Sequence, residues 1–255
     1  MHTIDTIMKN MANLRIHIAP VGFEIDRIII PAITQKADKV WLIAHDNVAE
    51  DKASKYREIV EKELEKNGIK TEVTYANRLR LFPIIKTVTG IIFKERKNEI
   101  YVNVASGSKI HAIGCMMACM MFDDRKKIHP FYAQAEKYPE YDGSQQQTYG
   151  VAEIHQLPTY RIGTPKPELI EAMRIIKNAG GRIQKKRMAE KAEKSKIITV
   201  NAKKKNFTQA RFASLDKNIV QPLVNTWGFV EVEQVGRNRW LSLTDDGNYA
   251  TEFLL

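Results

Sequence analysis

Over the first 160 residues short apolar segments alternate with amphipathic ones, and this alternation constrains the fold more than any other feature of the chain. "LRIHIAP" (14–20) reads as a strand that breaks at Pro20, and "VGFEIDRIIIPAITQ" then begins a helix near Glu24. "KVWLIAH" (39–45) is a second strand, whose continuous apolar run suits a sheet buried on both faces. "DKASKYREIVEKELEKNG" (51–68) predicts a helix with Tyr56, Ile59, Val60 and Leu64 on one side and Gly68 as its stop. "IKTEVTYA" (69–76) and "RLFPIIKTVTGIIFKER" (80–96) supply the third strand and helix, with Pro83 in the helix's first turn. "EIYVNV" (99–104) is strand four and runs through a Gly/Ser turn into an apolar helix ending at Phe122. "KIHPFYAQA" (127–135) is strand five, and "TYGVAEIHQLP" (148–158) a sixth at an edge. Repeated β-α units of this kind imply an α/β, Rossmann-like, mostly parallel sheet with right-handed crossovers and helices on both faces.

Ligands of such sheets bind beyond the carboxyl ends of the strands, where the strand order reverses. Two loops qualify by their small residues, Ala19–Phe23 after strand one and Ala105–Lys109 after strand four. The dinucleotide fingerprint is absent after strand one, where only Gly22 occurs, and the Walker A pattern is absent around Gly107-Ser108-Lys109. What remains is a turn in which Gly107 lets backbone N–H groups converge, Ser106 and Ser108 offer hydroxyls and Lys109 offers a cation. That set suits one or a few phosphates without a metal. The competing reading is structural: Ser108 caps the helix and Gly107 makes the turn.

Other chemistry-bearing residues are weaker candidates. His111, Cys115 and Cys119 share a helical face, but a ladder at i, i+4 and i+8 extends about 12 Å along the axis, too far for one zinc ion. They read as core packing, as do Met116, Met117, Met120 and Met121 on the same helix. His17 and His45, in or beside strands, are expected to be satisfied locally. Glu24, Asp26 and Arg27 follow the first loop; one of them could touch a ligand, or complement the helix start. No Ser/His/Asp order, carboxylate pair or metal cluster stands out, and catalytic residues are assigned to none.

Charge divides the chain. The net +10 comes from 22 Lys/Arg against 20 Asp/Glu in residues 1–160 and 18 against 10 in residues 161–255, or +2 and +8. A polyanion-binding module joined to a near-neutral one is implied, or else a solvated basic face. "QLPTYRIGTPKPELI" (156–170), with three prolines and a glycine, reads as the junction. The domains expected are 1–157, a linker at 158–166, and 167–255. Two cysteines make no disulfide framework, no apolar run spans a bilayer, and the amino terminus lacks a signal-peptide core, so the expected location is the cytoplasm, with no membrane contact.

The second module reads as helix, helix, helix, hairpin. "PELIEAMRIIKNAGG" (167–181) is a helix closed by two glycines, and "RIQKKRMAEKAEK" (182–194) a second with a basic face. In "NFTQARFASLDKNIVQPLVNTWGF" (206–229), Phe212, Leu215, Ile219, Leu223 and Trp227 recur at helical spacing, with a break or kink at Pro222. "FVEVEQV" and "RWLSLT" alternate as strands joined by "GRNR" (236–239). This is the order of a winged helix-turn-helix. Arg182, Lys185, Lys186, Arg187, Lys203, Lys204 and Lys205 could neutralise phosphates of double-stranded DNA. Thr208, Gln209 and Arg211 could reach base edges, and Arg237, Asn238 and Arg239 form the wing tip. Winged helices also serve as protein-binding modules, and that alternative stays open.

"APVGFEIDRI" after strand one, "NVASGSKIHAIGCMMACMMF" at strand four and the winged helix behind them resemble the archaeal CARF (CRISPR-associated Rossmann fold) winged-helix transcription regulators, over nearly the whole chain. The resemblance implies a homodimer that binds a cyclic oligoadenylate, typically the tetra-adenylate, across its dimer axis, with no other cofactor. It places Ser106, Gly107, Ser108 and Lys109 on ligand phosphate and ribose, and Val21, Gly22 and Phe23 beside the bases. The extra hundred residues are then the readout of the ligand. Some CARF domains cleave the ring they bind, so a ring nuclease is the enzymatic alternative.

Overall fold

The computed structural model describes residues 13–122, 126–140 and 146–254. The chain divides into two compact units, Met1–Ile162 and Gly163–Leu255, and the division falls inside the segment read above as a linker.

In the first unit a six-stranded sheet has the order β3-β2-β1-β4-β5-β6. Its strands are β1 (Arg15–Pro20), β2 (Lys39–His45), β3 (Lys70–Ala76), β4 (Glu99–Asn103), β5 (Ile128–Gln134) and β6 (Glu153–Gln156). The pairings among β1 to β5 are parallel, and β6 closes the edge antiparallel to β5. Four helices cross between the parallel strands: α1 (Asp26–Thr34), α2 (Ser54–Lys66), α3 (Leu81–Lys94) and α4 (Lys109–Met121). Alternate residues of the strands feed two cores. Ile16, Ile18, Ile100 and Val102 pack with Ile84, Val88, Cys115 and Cys119 of α3 and α4, while Ala19, Val40 and Leu42 pack with Ile28, Val60 and Leu64 of α1 and α2. Burial of such side chains contributes about 1.5–3 kcal/mol each before chain entropy is subtracted.

Two expectations need correction here. Ile59 is 44% exposed, because α2 buries the line of Tyr56, Val60 and Leu64 and leaves Ile59 on its flank. The four methionines of α4 are only half-buried; the face turned to the core carries His111, Gly114, Cys115, Ala118 and Cys119. Both follow from the 100° step of the helix, which puts neighbours of a buried residue on the boundary.

The second unit has α5 (Pro167–Asn178), β7 (Arg182–Gln184), α6 (Lys185–Lys194), α7 (Phe207–Leu215), β8 (Val230–Val235), β9 (Asn238–Leu243) and α8 (Asp245–Leu254). The strands form a small antiparallel sheet in the order β7-β9-β8. Leu169, Met173, Ile176, Ile183, Met188, Leu215, Ile219, Leu223 and Leu241 make its core. Arg182–Gln184, read from sequence as the start of a helix, is a strand: it pairs with Trp240–Ser242 and buries Ile183 between two more open neighbours. The long helix expected over 206–229 stays α-helical only to Leu215. Wide π turns follow over Asp216–Val220 and Pro222–Thr226. Pro222 has no N–H to return to the preceding turn, and the looser winding absorbs that loss.

Candidate ligand cavity and nucleic-acid interface

The strand order reverses between β1 and β4, since the chain runs from β1 outward through β2 to β3 and then returns to β4 on the other side. The loops leaving β1 and β4 meet at this point. A Cβ on Gly22 would stand 2.9 Å from Gly107 Cα, and one on Gly107 would stand 2.8 Å from Pro20 Cβ and 3.0 Å from His111 Nδ1. Gly107 also has φ +77°, so glycine is required there by both space and backbone. The two small-residue loops are therefore packed backbone against backbone.

Asn103, 1% exposed, ties them together. Its amide donates to Arg27 O at 2.7 Å in α1, and its Oδ1 accepts from Ala105 N at 2.8 Å in the loop after β4. The first loop is further latched from outside: Gln146 Oε1 accepts from Ile25 N and Asp26 N, and Gln147 N donates to Phe23 O. Glu24, Asp26 and Arg27 are spent on this scaffold. Glu24 pairs with Arg27 at 3.2 Å and accepts the Thr148 hydroxyl, Asp26 accepts Gly150 N at 2.8 Å, and Arg27 Nε donates to Ala133 O at 2.8 Å.

A cavity of about 420 Å³ opens beside the paired loops, within the size range of small-ligand sites. It is lined by Val21, Gly22, Phe23, Gly107 and Ser108, which the sequence had singled out for a ligand, by His111, which it had read as core packing, and by Lys52, Arg78, Leu79 and Gln147, which it had not singled out. Lys109, the first residue of α4, is exposed and does not line the cavity. The cations that line the cavity are Lys52 and Arg78, from the segments that follow β2 and β3. Ser106 lies beneath the loop, 1% exposed, and among the described residues its hydroxyl has no hydrogen-bond partner.

Ser108 caps α4 in a closed reciprocal arrangement. Its hydroxyl accepts from His111 N at 3.3 Å, while Ser108 N donates to His111 Nδ1 at 3.1 Å. The cap and cavity readings of this turn thus coexist, because Ser108 does the first and borders the second. Burial, reinforced by nearby Arg78 and His45, pulls the His111 imidazole down to about 4, so the ring is neutral near pH 7. His45 Nδ1 lies 3.1 Å from Asp46, as local satisfaction required, but His17 Nε2 is buried without a partner among the described residues. Burial pushes the Cys115 thiol up to about 12 and Cys119 upward as well. Among the described residues no group of three His, Cys, Asp or Glu could hold a metal ion, and no helix is long and apolar enough to cross a membrane.

In the second unit Lys186 and Arg187 are exposed on α6, Lys203 and Lys205 are exposed ahead of α7, and Thr208 and Gln209 are exposed on its first turn. Arg237, Asn238 and Arg239 are exposed at the hairpin tip. Three other cations are turned to carboxylates of the unit itself: Arg182 to Glu233 at 2.5 Å, Lys185 to Asp216 at 2.6 Å and Arg211 to Glu193 at 2.9 Å. Arg211 keeps only 16% of its side chain exposed, and Arg182 also lies over the Trp240 ring. Thr208 and Gln209 are consequently the more available pair on α7. The side chain of Lys204 lies outside the described residues.

Residues 15–138 match the family described as HFX_2341_N-like, N-terminal, and residues 168–254 match the DUF6293 C-terminal winged helix domain. The uncharacterized protein MJ1513 of Methanocaldococcus jannaschii is 28% identical over 191 residues, 66% of this chain and 57% of that one. Among solved structures the chain is similar to Can2 from Sulfobacillus thermosulfidooxidans in complex with cyclic tetra-adenylate, with a TM-score of 0.39, 10% identity, and coverage of 93% of this chain and 63% of that one. It is similar also to Enterococcus italicus Csm6 bound to cyclic hexa-2'-fluoro-hexa-dAMP, with a TM-score of 0.42, 11% identity, and coverage of 86% and 57%. The chain thus spans under two thirds of the length of each of these proteins. Strand order, hairpin and family matches together define the class: a Rossmann-like N-terminal domain joined to a C-terminal winged helix domain. That is the arrangement of the CARF–winged-helix fusions that the sequence resembles.

Proposed function

We propose that this chain is a homodimeric, ligand-responsive transcription regulator, in which the first domain senses a cyclic oligoadenylate or a related nucleotide and the winged helix binds double-stranded DNA. The observation that carries the reading is the cavity at the strand-order reversal, where two glycine-bearing loops lie against one another and Lys52 and Arg78 supply positive charge. Exposed backbone, the Ser108 hydroxyl and cations at one point suit the phosphates of a nucleotide. A pocket built from two copies needs only half of its donors from each chain. Along α4, Ile113 is 49% exposed beside the half-buried Met116, Met117 and Met120, an apolar face that favours a second copy of the domain.

The readout follows from the second unit. Its excess of seven positive charges, 17 Lys/Arg against 10 Asp/Glu over residues 163–255, and the exposed set on α6, α7 and the hairpin tip favour a phosphate backbone over a neutral protein partner. Ligand bound between two first domains would change the fit of two winged helices to their half-sites; such couplings are typically about 1–3 kcal/mol.

Calorimetric titration with cyclic tetra-adenylate tests the sensing half, and one ligand per two chains is expected. DNA binding measured from low to moderate salt tests the other half. Arg187→Ala and Arg239→Ala should each lower the log–log salt slope by about 0.9, the amount that one neutralised phosphate supplies. Absence of nucleotide binding together with a flat salt response would overturn the proposal.

A further inference from the structure

Among the described residues His111 is the one imidazole that borders the cavity, and its two nitrogens are in different situations. Nδ1 accepts from Ser108 N at 3.1 Å and lies 3.0 Å from the Ser108 hydroxyl. A backbone amide can only donate, so in the neutral ring the proton is on Nε2. That Nε2–H belongs to a residue 2% exposed and has no partner among the described residues. A buried donor without an acceptor is costly, and native proteins rarely keep one without a use. Arg78 and His45 lie close enough to disfavour a charge on the ring, and Lys52 lines the same cavity.

We propose that His111 is a specificity-determining residue whose Nε2–H is held ready, by the Ser108 cap, for a phosphodiester oxygen of the bound nucleotide. The inference rests on the nucleotide reading above and deepens it. The arrangement selects an acceptor at this point, since a donor group of a ligand would face a second donor. It also separates His111 from ring cleavage: the nitrogen that could take a proton from a ribose hydroxyl is already engaged by Ser108, so His111 binds rather than acts as a base.

The capping box supplies the test, because Gln and Glu both serve at its third helical position. His111→Gln keeps an acceptor for Ser108 N and a donor for the ligand. His111→Glu keeps the acceptor and replaces the donor with an oxygen. Both variants and the wild type are titrated with cyclic tetra-adenylate, with melting temperatures taken alongside. The expected result is affinity within a few-fold of wild type for Gln and a loss of about 10- to 100-fold for Glu, the range for a hydrogen bond to a charged group. Equal affinity of the Gln and Glu variants would overturn the role of His111 while leaving the nucleotide reading intact. No binding by the wild type would overturn both. Nitrogen-15 NMR of the wild-type imidazole is the check that needs no variant. Nε2–H should be the free-state tautomer, and its proton should move downfield and exchange more slowly with ligand; a proton on Nδ1, or an unmoved Nε2–H, would also overturn the role.

Discussion

His17 should make the first domain sensitive to acid, and the size of the effect can be worked out from its surroundings. The residue is 2% exposed on β1, its ring stacked on Tyr101 at 5.1 Å and tilted against Phe131 at 5.6 Å. Burial, with a smaller contribution from Arg15, brings its pKa down to about 3 from 6.5. The unfolded chain therefore takes up a proton below pH 6.5 that the folded chain refuses until near pH 3. Stability is complete above pH 6.5 and falls as the pH drops through that window. At pH 5 the gap to the unfolded pKa is about 1.5 units, or roughly 2 kcal/mol. The folded value does not enter at that pH, because it lies well below. Replacement by leucine removes the titration together with an unpartnered Nε2, so His17→Leu should stay within about 1 kcal/mol of wild type at pH 7.5. His111, brought down to about 4, remains in both proteins and costs each a comparable amount at pH 5. Urea titrations at pH 7.5 and 5.0, followed by Trp41 fluorescence with Trp227 and Trp240 replaced by Phe, should show wild type losing about 2 kcal/mol more than the leucine variant. Equal losses would mean that His17 is protonated in the folded domain or neutral in the unfolded one, and would refute the reasoning.

Three further outcomes are expected. Asn103→Leu should cost about 2–3 kcal/mol through the orphaned Arg27 O and Ala105 N, and should weaken nucleotide binding more than its effect on melting temperature explains. Gly247→Ala should destabilise the winged helix domain by about 3 kcal/mol or more, since the added Cβ would stand 2.0 Å from Phe229 O and backbone has to move; differential scanning calorimetry checks this. Cys115 and Cys119, both buried thiols with raised pKa, should stay unlabelled by a thiol reagent at pH 8 and react at the rate of domain unfolding.

What was legible in the sequence depended on how local the signal was. The alternation of KVWLIAH-like strands with amphipathic helices is a periodicity, and periodicity is set by the residues that carry it. All six strands of the sheet were accordingly placed. Gly22 and Gly107 stood out because close approach of two backbones demands glycine on each side, whatever the partner. Lys52 and Arg78 carry no such demand. A lysine ahead of α2 and an arginine ahead of α3 look like ordinary surface cations, and only strand order brings them to the loops after β1 and β4. The loops after β2 and β3 leave the same carboxyl edge of the parallel sheet as the glycine-bearing two, and ligands of such sheets sit along that edge. Arg211 was hidden in a different way. Its position on the first turns of α7 is that of a base-reading residue, yet Glu193, eighteen positions earlier on α6, takes its guanidinium at 2.9 Å. A charge census counts such an arginine as available; the fold has already committed it. The same distinction separates Ser108 from Ser106. Both are hydroxyls of one turn, but the first is matched by the backbone of His111, and the second is sealed below the loop with its hydrogen bond unmade. Residue type marks what a turn could bind, whereas the partners already present decide which of its groups remain to bind it.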